Sequence, residues 1–337
     1  MPFRVVSIVL PSKVFGEVDD MMWGTYQRLV LFFFEKLSPV EVLFYGDIED
    51  VLNRKESVLY ISNHQSTVDW VVADMLAVRQ GNLGQMRYIL KDGLRFLPLY
   101  GYYFYQHDCI YVRRSRKFNT DLMMRNLEDI MKRRKQTWMI IFPEGTRFNP
   151  NNPEALTSSQ EYAKKEGLPA LQHVLSPRTK AFFLSRMALQ NHFNAVYDIT
   201  VLYSQAFQEL SDTGLAERRV APTMNDYLHG WDEQLHVVVN RTDLEDLPTN
   251  EKATQEWLYQ SFHQKDRIIK NYIRDKKSLG TGKRISLSWS EVLPAALFFT
   301  GLNAVFWSTE TGRKVYAISG IGGSLFTVLW MGMRKVA

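Results

Sequence analysis

Short apolar runs recur through the middle of this chain, with helix-patterned segments between them. Val58-Leu59-Tyr60-Ile61, Trp138 to Phe142, Ala195 to Tyr203 and Leu235 to Val239 each read as a buried strand. Met86 to Leu90 and Ile110 to Val112 read as shorter ones. Val68 to Arg79 has helical spacing, and so does Asn119 to Lys135, which sets Leu122, Met123, Leu127, Ile130 and Met131 on one side. Strands that alternate with helices bury both sheet faces, which leaves an α/β architecture: a largely parallel, mixed sheet flanked by helices. No internal repeat interrupts the pattern, and Asn149 to Pro153 reads as a turn-rich loop.

The two ends differ from this middle. Val5 to Leu10 is too short to cross a membrane. Met22, Trp23, Tyr26, Leu29, Val30, Phe33, Phe34 and Leu37 then fall at helical spacing, and Leu29 to Phe34 is apolar on all sides. A core helix has this look, and so does a helix lying in a lipid interface. At the other end Val292 to Thr309 and Val315 to Met333 carry no charge, and each approaches the ~20 residues that span a bilayer core. Glu310 to Lys314 joins them, so a two-helix membrane hairpin is expected, with two buried core helices as the alternative. Pro294, Thr300 and Asn303 weaken the first span, while Gly320, Gly322 and Gly323 suit close packing of the second. The basic stretch Lys265, Arg267, Lys270, Arg274, Lys276, Lys277, Lys283 and Arg284 precedes the hairpin, and Arg334 and Lys335 follow it. Positive charge at both ends favours the cytosolic side and contact with anionic lipid. Three parts are expected: a membrane-associated segment over 1–45, a catalytic domain over 46–284 and the hairpin over 285–337.

A net charge of +5 over 337 residues points to an anionic partner: a phosphorylated ligand, a membrane surface or a nucleic acid. Cys109 is the only cysteine, which excludes an intrachain disulfide and any Cys-clustered zinc site. No metal ligand set is expected.

Four stretches could carry chemistry. In SNHQSTVDW, Ser62 to Trp70, His64 and Asp69 are five apart. On an unbroken helix of ~3.6 residues per turn they would diverge by roughly 140°. On a strand–loop–helix path, with Ser66 or Thr67 capping the helix, they can meet. An Asp bonded to one ring nitrogen then fixes the tautomer and leaves the other nitrogen free as a base. Asp69 could equally just complement a helix start. In IIFPEGTRFNP, Ile140 to Pro150, a buried strand runs into Glu144-Gly145-Thr146-Arg147. Strand ends are where α/β sheets bind ligands, Gly145 permits a tight turn, and Arg147 offers a fork that fits phosphate. Glu144 could orient Arg147 or accept a hydrogen bond from a hydroxyl; a surface Glu–Arg turn is the plainer reading. The third stretch, Lys91 to Phe118, combines Lys91, a Pro98…Gly101 turn, aromatic residues and Arg113, Arg114, Arg116 and Lys117. It suits a phosphorylated lipid or a nucleic acid, with His107 as polar filler. The fourth, His173 to Phe182, adds Arg178 and Lys180 beside Pro177.

Taken in order, His-x4-Asp, Ile-Tyr-Val-Arg-Arg, Phe-Pro-Glu-Gly-Thr-Arg and a Pro-Arg turn resemble the glycerolipid acyltransferases of the 1-acylglycerol-3-phosphate type. NHQSTVDW, the LPLYG segment, FPEGTR and the C-terminal hydrophobic pair look closest to the epsilon subtype. The resemblance covers about Met21 to the C-terminus and implies a glycerol-3-phosphate acyltransferase-like fold. It implies that His64 is the catalytic base and Asp69 the residue that orients it. It implies that Glu144, Gly145, Thr146 and Arg147 bind the acceptor. Arg114 matches the Arg of the family's second block, where Arg113 stands in place of an Asp. Pro177 approximates the fourth block, and Lys91 and Arg178 complete the expected substrate-binding set. Members usually begin with a further hydrophobic segment, of which this chain shows little.

The implied reaction moves an acyl group from acyl-CoA, a co-substrate rather than a cofactor, to the sn-2 hydroxyl of lysophosphatidic acid. Membrane lipid is the expected surroundings and no nucleic acid the expected partner. The endoplasmic-reticulum membrane is the expected place, with the catalytic domain toward the cytosol and a mitochondrial membrane as the alternative. Another lysophospholipid acceptor is a rival reading. So is a lipid hydrolase, although no Gly-x-Ser-x-Gly elbow is present.

Overall fold

The computed structural model of the chain describes residues 12–113, 118–134, 136–209, 216–231 and 233–336. Helix α1 (Ser12–Leu31) passes into a wide π turn at Phe32–Leu37 and leads to strand β1 (Glu41–Gly46) and the short α2 (Ile48–Leu52). Then come β2 (Val58–Ser62), α3 (Asp69–Arg79), β3 (Met86–Lys91), α4 (Tyr100–Gln106), β4 (Ile110–Val112), α5 (Thr120–Arg133) and β5 (Trp138–Ile141). Helices α6 (Pro153–Lys165) and α7 (Thr179–Ala188) precede β6 (Ala195–Tyr203). The small hairpin β7 (Phe207–Glu209) and β8 (Ala216–Arg218) and the turn of helix α8 (Met224–Leu228) lead to β9 (Gln234–Asp243). Helix α9 (Glu251–Arg274) closes the domain, and α10 (Trp289–Ser308) and α11 (Glu310–Gly332) follow.

Seven strands form one sheet in the order β1-β9-β6-β2-β5-β3-β4. Every neighbouring pair is parallel except β6 with β9, which run antiparallel from Ala195 opposite Asp243 to Tyr203 opposite Leu235. The mixed, largely parallel sheet is the one the alternating pattern predicts. Strands β2, β5 and β6 are buried at every residue, as continuous apolar strands covered on both faces should be.

Strand β1, the start of α6 and one side chain of α5 depart from the expectations. Strand β1 is six residues of half-buried sequence directly after a long apolar helix, so no alternation marks it. It pairs parallel with β9 and ends at Gly46, whose φ is +73° and where a Cβ would lie 2.2 Å from the Val239 carbonyl oxygen. The Asn149–Pro153 loop ends in a helix: Asn152 caps α6 by accepting from the Ala155 amide at 3.1 Å, and Pro153 takes the first position, where its missing N–H costs nothing. In α5, Met123, Leu127 and Ile130 are buried as expected, but Met131 is exposed.

One ionic cluster holds α1 to the domain. The Asp19 carboxylate accepts from His107 Nδ1 at 2.7 Å, and Arg87 donates to His107 Nε2 at 2.9 Å. Arginine only donates, so Nε2 must accept and the imidazole is neutral. Burial and Arg87 push its pKa down to about 4. The Trp23 ring stacks on His107 at 3.9 Å. Arg134 reaches Asp20 at 2.8 Å, Asp108 at 2.8 Å, Asp19 at 3.3 Å and the Gly16 carbonyl at 2.7 Å. The helix is thus core on one side, with Trp23, Val30, Leu31 and Phe34 buried, while Met21, Met22, Phe33 and Leu37 face outward. Leu29 to Phe34 therefore does not have one uniform environment.

Helices α10 and α11 are long and apolar enough to cross a membrane, and only 17% and 11% of their apolar windows are buried. They meet at the turn, where Trp307 lies 5.7 Å from Tyr316, and dock on the domain mainly near their bases. Val292, Ala295 and Ala296 of α10 and Thr327 and Met331 of α11 are buried; the Leu99 amide donates to Thr327 Oγ1 at 3.2 Å. Two buried core helices, the alternative reading, are not what forms. The basic stretch before the hairpin is not uniformly a charged surface either. Lys265 is buried, paired with Asp198 and donating to the Ile199 carbonyl at 2.6 Å.

Arg134→Met would remove the cation that joins Asp19, Asp20 and Asp108, leaving Asp19 with His107 and Asp20 with Arg87. Breaking a buried ionic cluster from one side is expected to cost about 3–5 kcal/mol. Thermal unfolding in detergent, together with protease cleavage within 12–31, would register it; an unchanged midpoint would show that the cluster does not hold the helix.

Candidate active site

The end of β2 opens into the loop Asn63–Val68 before α3 begins at Asp69. Asn63 pins this loop to β6 by donating to the Val201 carbonyl at 3.0 Å and accepting from its amide at 2.8 Å. Ser66 Oγ accepts from the Val68 amide at 2.9 Å, but neither Ser66 nor Thr67 caps the helix as expected: Val68 holds the cap position, and Thr67 Oγ1 accepts from the Met224 amide instead. The turn brings His64 and Asp69 together, with Nδ1 2.8 Å from Oδ2.

Asp69 is fully buried. A carboxylate in that position must find a donor for nearly every lone pair. Its Oδ2 also accepts from the Gln65 amide at 2.6 Å and the Ser66 amide at 2.8 Å, and its Oδ1 accepts from the Tyr203 hydroxyl at 2.8 Å. Since the carboxylate accepts, Nδ1 of His64 carries the proton. The ring is flat against Phe142, 4.5 Å between centres, and a quarter of the side chain is exposed. Nε2 has no partner among the described residues, which leaves an oriented, open base. The His107–Asp19 pair has similar geometry, but its Nε2 is blocked by Arg87 and the ring is fully buried.

The second stretch forms the facing loop after β5. Gly145 has a φ of +67°, and its amide donates to the Phe142 carbonyl at 2.9 Å. Glu144 points inward: Oε1 accepts from the His64 amide at 2.8 Å and Oε2 from the Leu175 amide at 3.1 Å. It therefore ties two loops together and does not orient Arg147. Burial pushes its carboxyl up to about 8, against the pull of those two amides and of Arg218. The Phe148 amide closes the loop onto the His64 carbonyl at 2.6 Å. Thr146 and Arg147 are exposed, and the Arg147 guanidinium has no partner among the described residues.

The other expected residues lie as follows. Lys91 is exposed at the end of β3. Arg113 is paired with Asp92 at 3.1 Å. Arg114 lies outside the described residues. The Arg178 amide is bonded to the Pro143 carbonyl at 2.8 Å, but its guanidinium stacks on Tyr162 at 3.7 Å. There it lines a surface groove of about 500 Å³ together with Glu166, Lys180 and Lys252. Only its backbone touches the site. Sequence reasoning did not single out Phe142, Gln65, Tyr203 or Arg218. Phe142 and Gln65 flank residues that were singled out; nothing local marks Tyr203 or Arg218, which approach from β6 and β8.

His64, held by a buried carboxylate at a strand end, faces a loop that exposes an arginine with no partner among the described residues, an arrangement that can serve as a base beside an anion-binding group. The comparisons give the class. A family model described as Acyltransferase matches residues 46–204, and one described as Acyltransferase C-terminus matches residues 226–300. The mouse protein "1-acyl-sn-glycerol-3-phosphate acyltransferase epsilon" is 40% identical, over 97% of this chain and 89% of that protein. The Arabidopsis thaliana "Probable 1-acyl-sn-glycerol-3-phosphate acyltransferase 5" is 31% identical over 75% of this chain and 62% of its own length. The solved structure of the LPA acyltransferase PlsC from Thermotoga maritima matches 79% of this chain and 81% of its own at 14% identity, with a TM-score of 0.39, too loose a likeness to add to the reading. The chain belongs to the 1-acyl-sn-glycerol-3-phosphate acyltransferase family.

Asp69→Asn keeps the shape but allows the wrong imidazole tautomer; by analogy with other His–Asp pairs, turnover should fall roughly 10²- to 10⁴-fold. Steady-state rates of the folded variant test this, and a loss under twofold would remove Asp69 from the mechanism. Glu144 gives a pH prediction. Its native pKa lies above its ordinary 4.5, so the folded chain holds a proton that the unfolded chain has already lost. Its contribution to stability is therefore full below about 4.5 and fades as the pH rises to about 8. Glu144→Gln mimics the neutral acid and should flatten that component, read as the difference in thermal midpoint between wild type and variant across the window. Parallel curves would contradict it.

Proposed function

We propose that the chain transfers an acyl group from acyl-CoA to the free sn-2 hydroxyl of 1-acyl-sn-glycerol-3-phosphate, giving phosphatidic acid and CoA. The observation that carries this reading is His64, with Nδ1 anchored to Asp69 and Nε2 open, in a chain whose relatives are named for that acceptor. Nε2 takes the hydroxyl proton as the oxygen attacks the thioester carbonyl. The tetrahedral centre then collapses, the C–S bond breaks and the thiolate recovers the proton from His64. A thiol of pKa near ~8.5 leaves with little assistance. General-base catalysis of this kind supplies roughly 10²- to 10⁴-fold; holding both substrates together supplies more. Arg147 and Lys91 are exposed cations available for the acceptor phosphate, and Arg114 is assigned the same role from the family's second block.

A serine hydrolase would need its nucleophile beside His64. Ser62 Oγ donates to the Asn63 carbonyl at 3.0 Å and Ser66 Oγ to the Pro222 carbonyl at 2.5 Å, so both hydroxyls are turned into backbone.

The reaction is assigned to a membrane surface. The hairpin enters from the side where its bases dock. The outward face of α1 and the exposed Phe96, Leu97, Leu99 and Tyr100 beside it rest in the lipid interface. We assign the catalytic domain to the cytosolic side, a reading supported by the basic residues around the hairpin, with the endoplasmic reticulum as the leading compartment and a mitochondrial membrane as the alternative.

The test is CoA thiol release from oleoyl-CoA by membranes carrying the chain or its His64→Ala variant, with and without lysophosphatidic acid. Release that requires the acceptor, yields phosphatidic acid and vanishes in the variant is expected. Acceptor-independent release with free fatty acid would indicate a hydrolase. Faster transfer to another lysophospholipid would reassign the acceptor. Transfer surviving in a folded His64→Ala protein would remove the base.

A further inference from the structure

The loop that carries His64 is held on its inner side by Asp69 and Asn63. Its outer side rests on Arg218, a residue at the end of β8 with no place in any of the four stretches. Nη2 of Arg218 donates to Gln65 Oε1 at 3.2 Å, and Nη1 donates to the His173 carbonyl. The guanidinium carbon sits over the Phe148 ring, 3.6 Å from its centre, and 5.4 Å from the centre of the Phe207 ring. Each partner belongs to a different loop of the site. Gln65 follows His64, gives its amide to Asp69 and donates from Nε2 to the Val201 carbonyl at 2.8 Å. Phe148 gives its amide to the His64 carbonyl. His173 lies two residues before Leu175, whose amide holds Glu144, and the His173 amide is itself fixed by Asp266 at 2.5 Å.

We propose that Arg218 is a positioning residue for the acyl transfer, a three-way clamp whose planar fork locks the His64, Phe148 and His173 loops into one register. The inference rests on the acyltransferase reading of the site. Its basis is geometric. Two donors in a fixed fork and a flat cation over a ring constrain direction as well as distance, which a flexible ammonium does not. Burial pushes the Arg218 guanidinium down to about 9, against the pull of Glu144 and Asp266, which still leaves it protonated at neutral pH. Without it, Gln65 and Phe148 keep their backbone bonds but lose the side-chain contacts that tie the loops on either side of His64 together. An acyl transfer that needs hydroxyl, base and thioester in line at once is sensitive to such looseness, because a displacement near 1 Å can cost roughly 100-fold.

Arg218→Met and Arg218→Lys test this. Both are expected to lower turnover by roughly 10- to 100-fold with both KM values within about twofold. Lysine should restore little, since it keeps the charge and loses the fork. Hydrogen exchange, which needs no substrate, should show faster exchange at the Gln65, Ser66 and Phe148 amides with β2 and β5 unchanged. A raised acceptor or acyl-CoA KM with turnover retained would make Arg218 a substrate-binding group and overturn the proposal. Full rescue by lysine would overturn the fork. Faster exchange throughout the sheet in both variants would make the residue merely structural. If the wild-type chain transfers no acyl group to lysophosphatidic acid, the acyltransferase reading fails on its own; the loop-specific exchange still decides whether Arg218 is the clamp.

Discussion

The site depends on one buried carboxylate. Asp69 accepts four hydrogen bonds, from the His64 ring, two consecutive backbone amides and the Tyr203 hydroxyl. Three of these bonds fall on Oδ2 and one on Oδ1, so both carboxylate oxygens are partnered. A carboxylate surrounded by donors keeps the proton on Nδ1 and leaves Nε2 as acceptor. The tightness of the Gln65–Ser66 turn, the start of α3 and the aim of the imidazole all follow from that one group. His107 and Asp19 show the same pair used for another end. With Arg87 on the second nitrogen the ring has no free electron pair, and the cluster fastens α1 instead of moving a proton.

The first helix and the C-terminal pair join the domain through buried apolar residues as well as polar contacts. Trp23, Val30, Leu31 and Phe34 pack into the core beside the cluster around Arg134 and Arg87, and the C-terminal pair touches the domain mainly near its bases, with Phe299 of α10 against Tyr26. The inner ends of both helices carry buried residues; their outer surfaces are apolar and uncovered. Such an arrangement leaves α1, the Phe96–Tyr100 segment and the two long helices as one apolar side of the molecule, while His64 sits at a strand end on a polar loop. An amphiphilic acceptor with a phosphate and an acyl chain matches both surfaces at once.

Much of the sheet could be read along the chain because fully buried parallel strands are continuous apolar runs, and β2, β5 and β6 announce themselves in that way. Strand β1 did not, because a six-residue edge strand with half-buried side chains has no period of its own. The His64–Asp69 contact was legible because one loop and one helix start bring both residues to the same place. Glu144 was legible as a site residue, but its direction was not: whether it faces Arg147 or the protein's own amides depends on the His64 and Leu175 loops packing above it.

By itself the sequence determined the local and periodic features: the buried strands, the capped helices, the two uncharged spans, the His-x4-Asp spacing and the Glu-Gly-Thr-Arg turn. Each is set by neighbours a few residues away, where side-chain period and turn chemistry act directly. Only the tertiary structure decided that β9 runs antiparallel to β6, that Lys265 turns inward to Asp198 while its neighbours face solvent, that Arg178 stacks on Tyr162, and that Tyr203 and Arg218 close around His64. Those contacts join residues tens to more than a hundred positions apart. What selects them is side-chain packing together with the partnering of buried groups such as Asp69 and Lys265, which is decided only once the whole sheet has assembled.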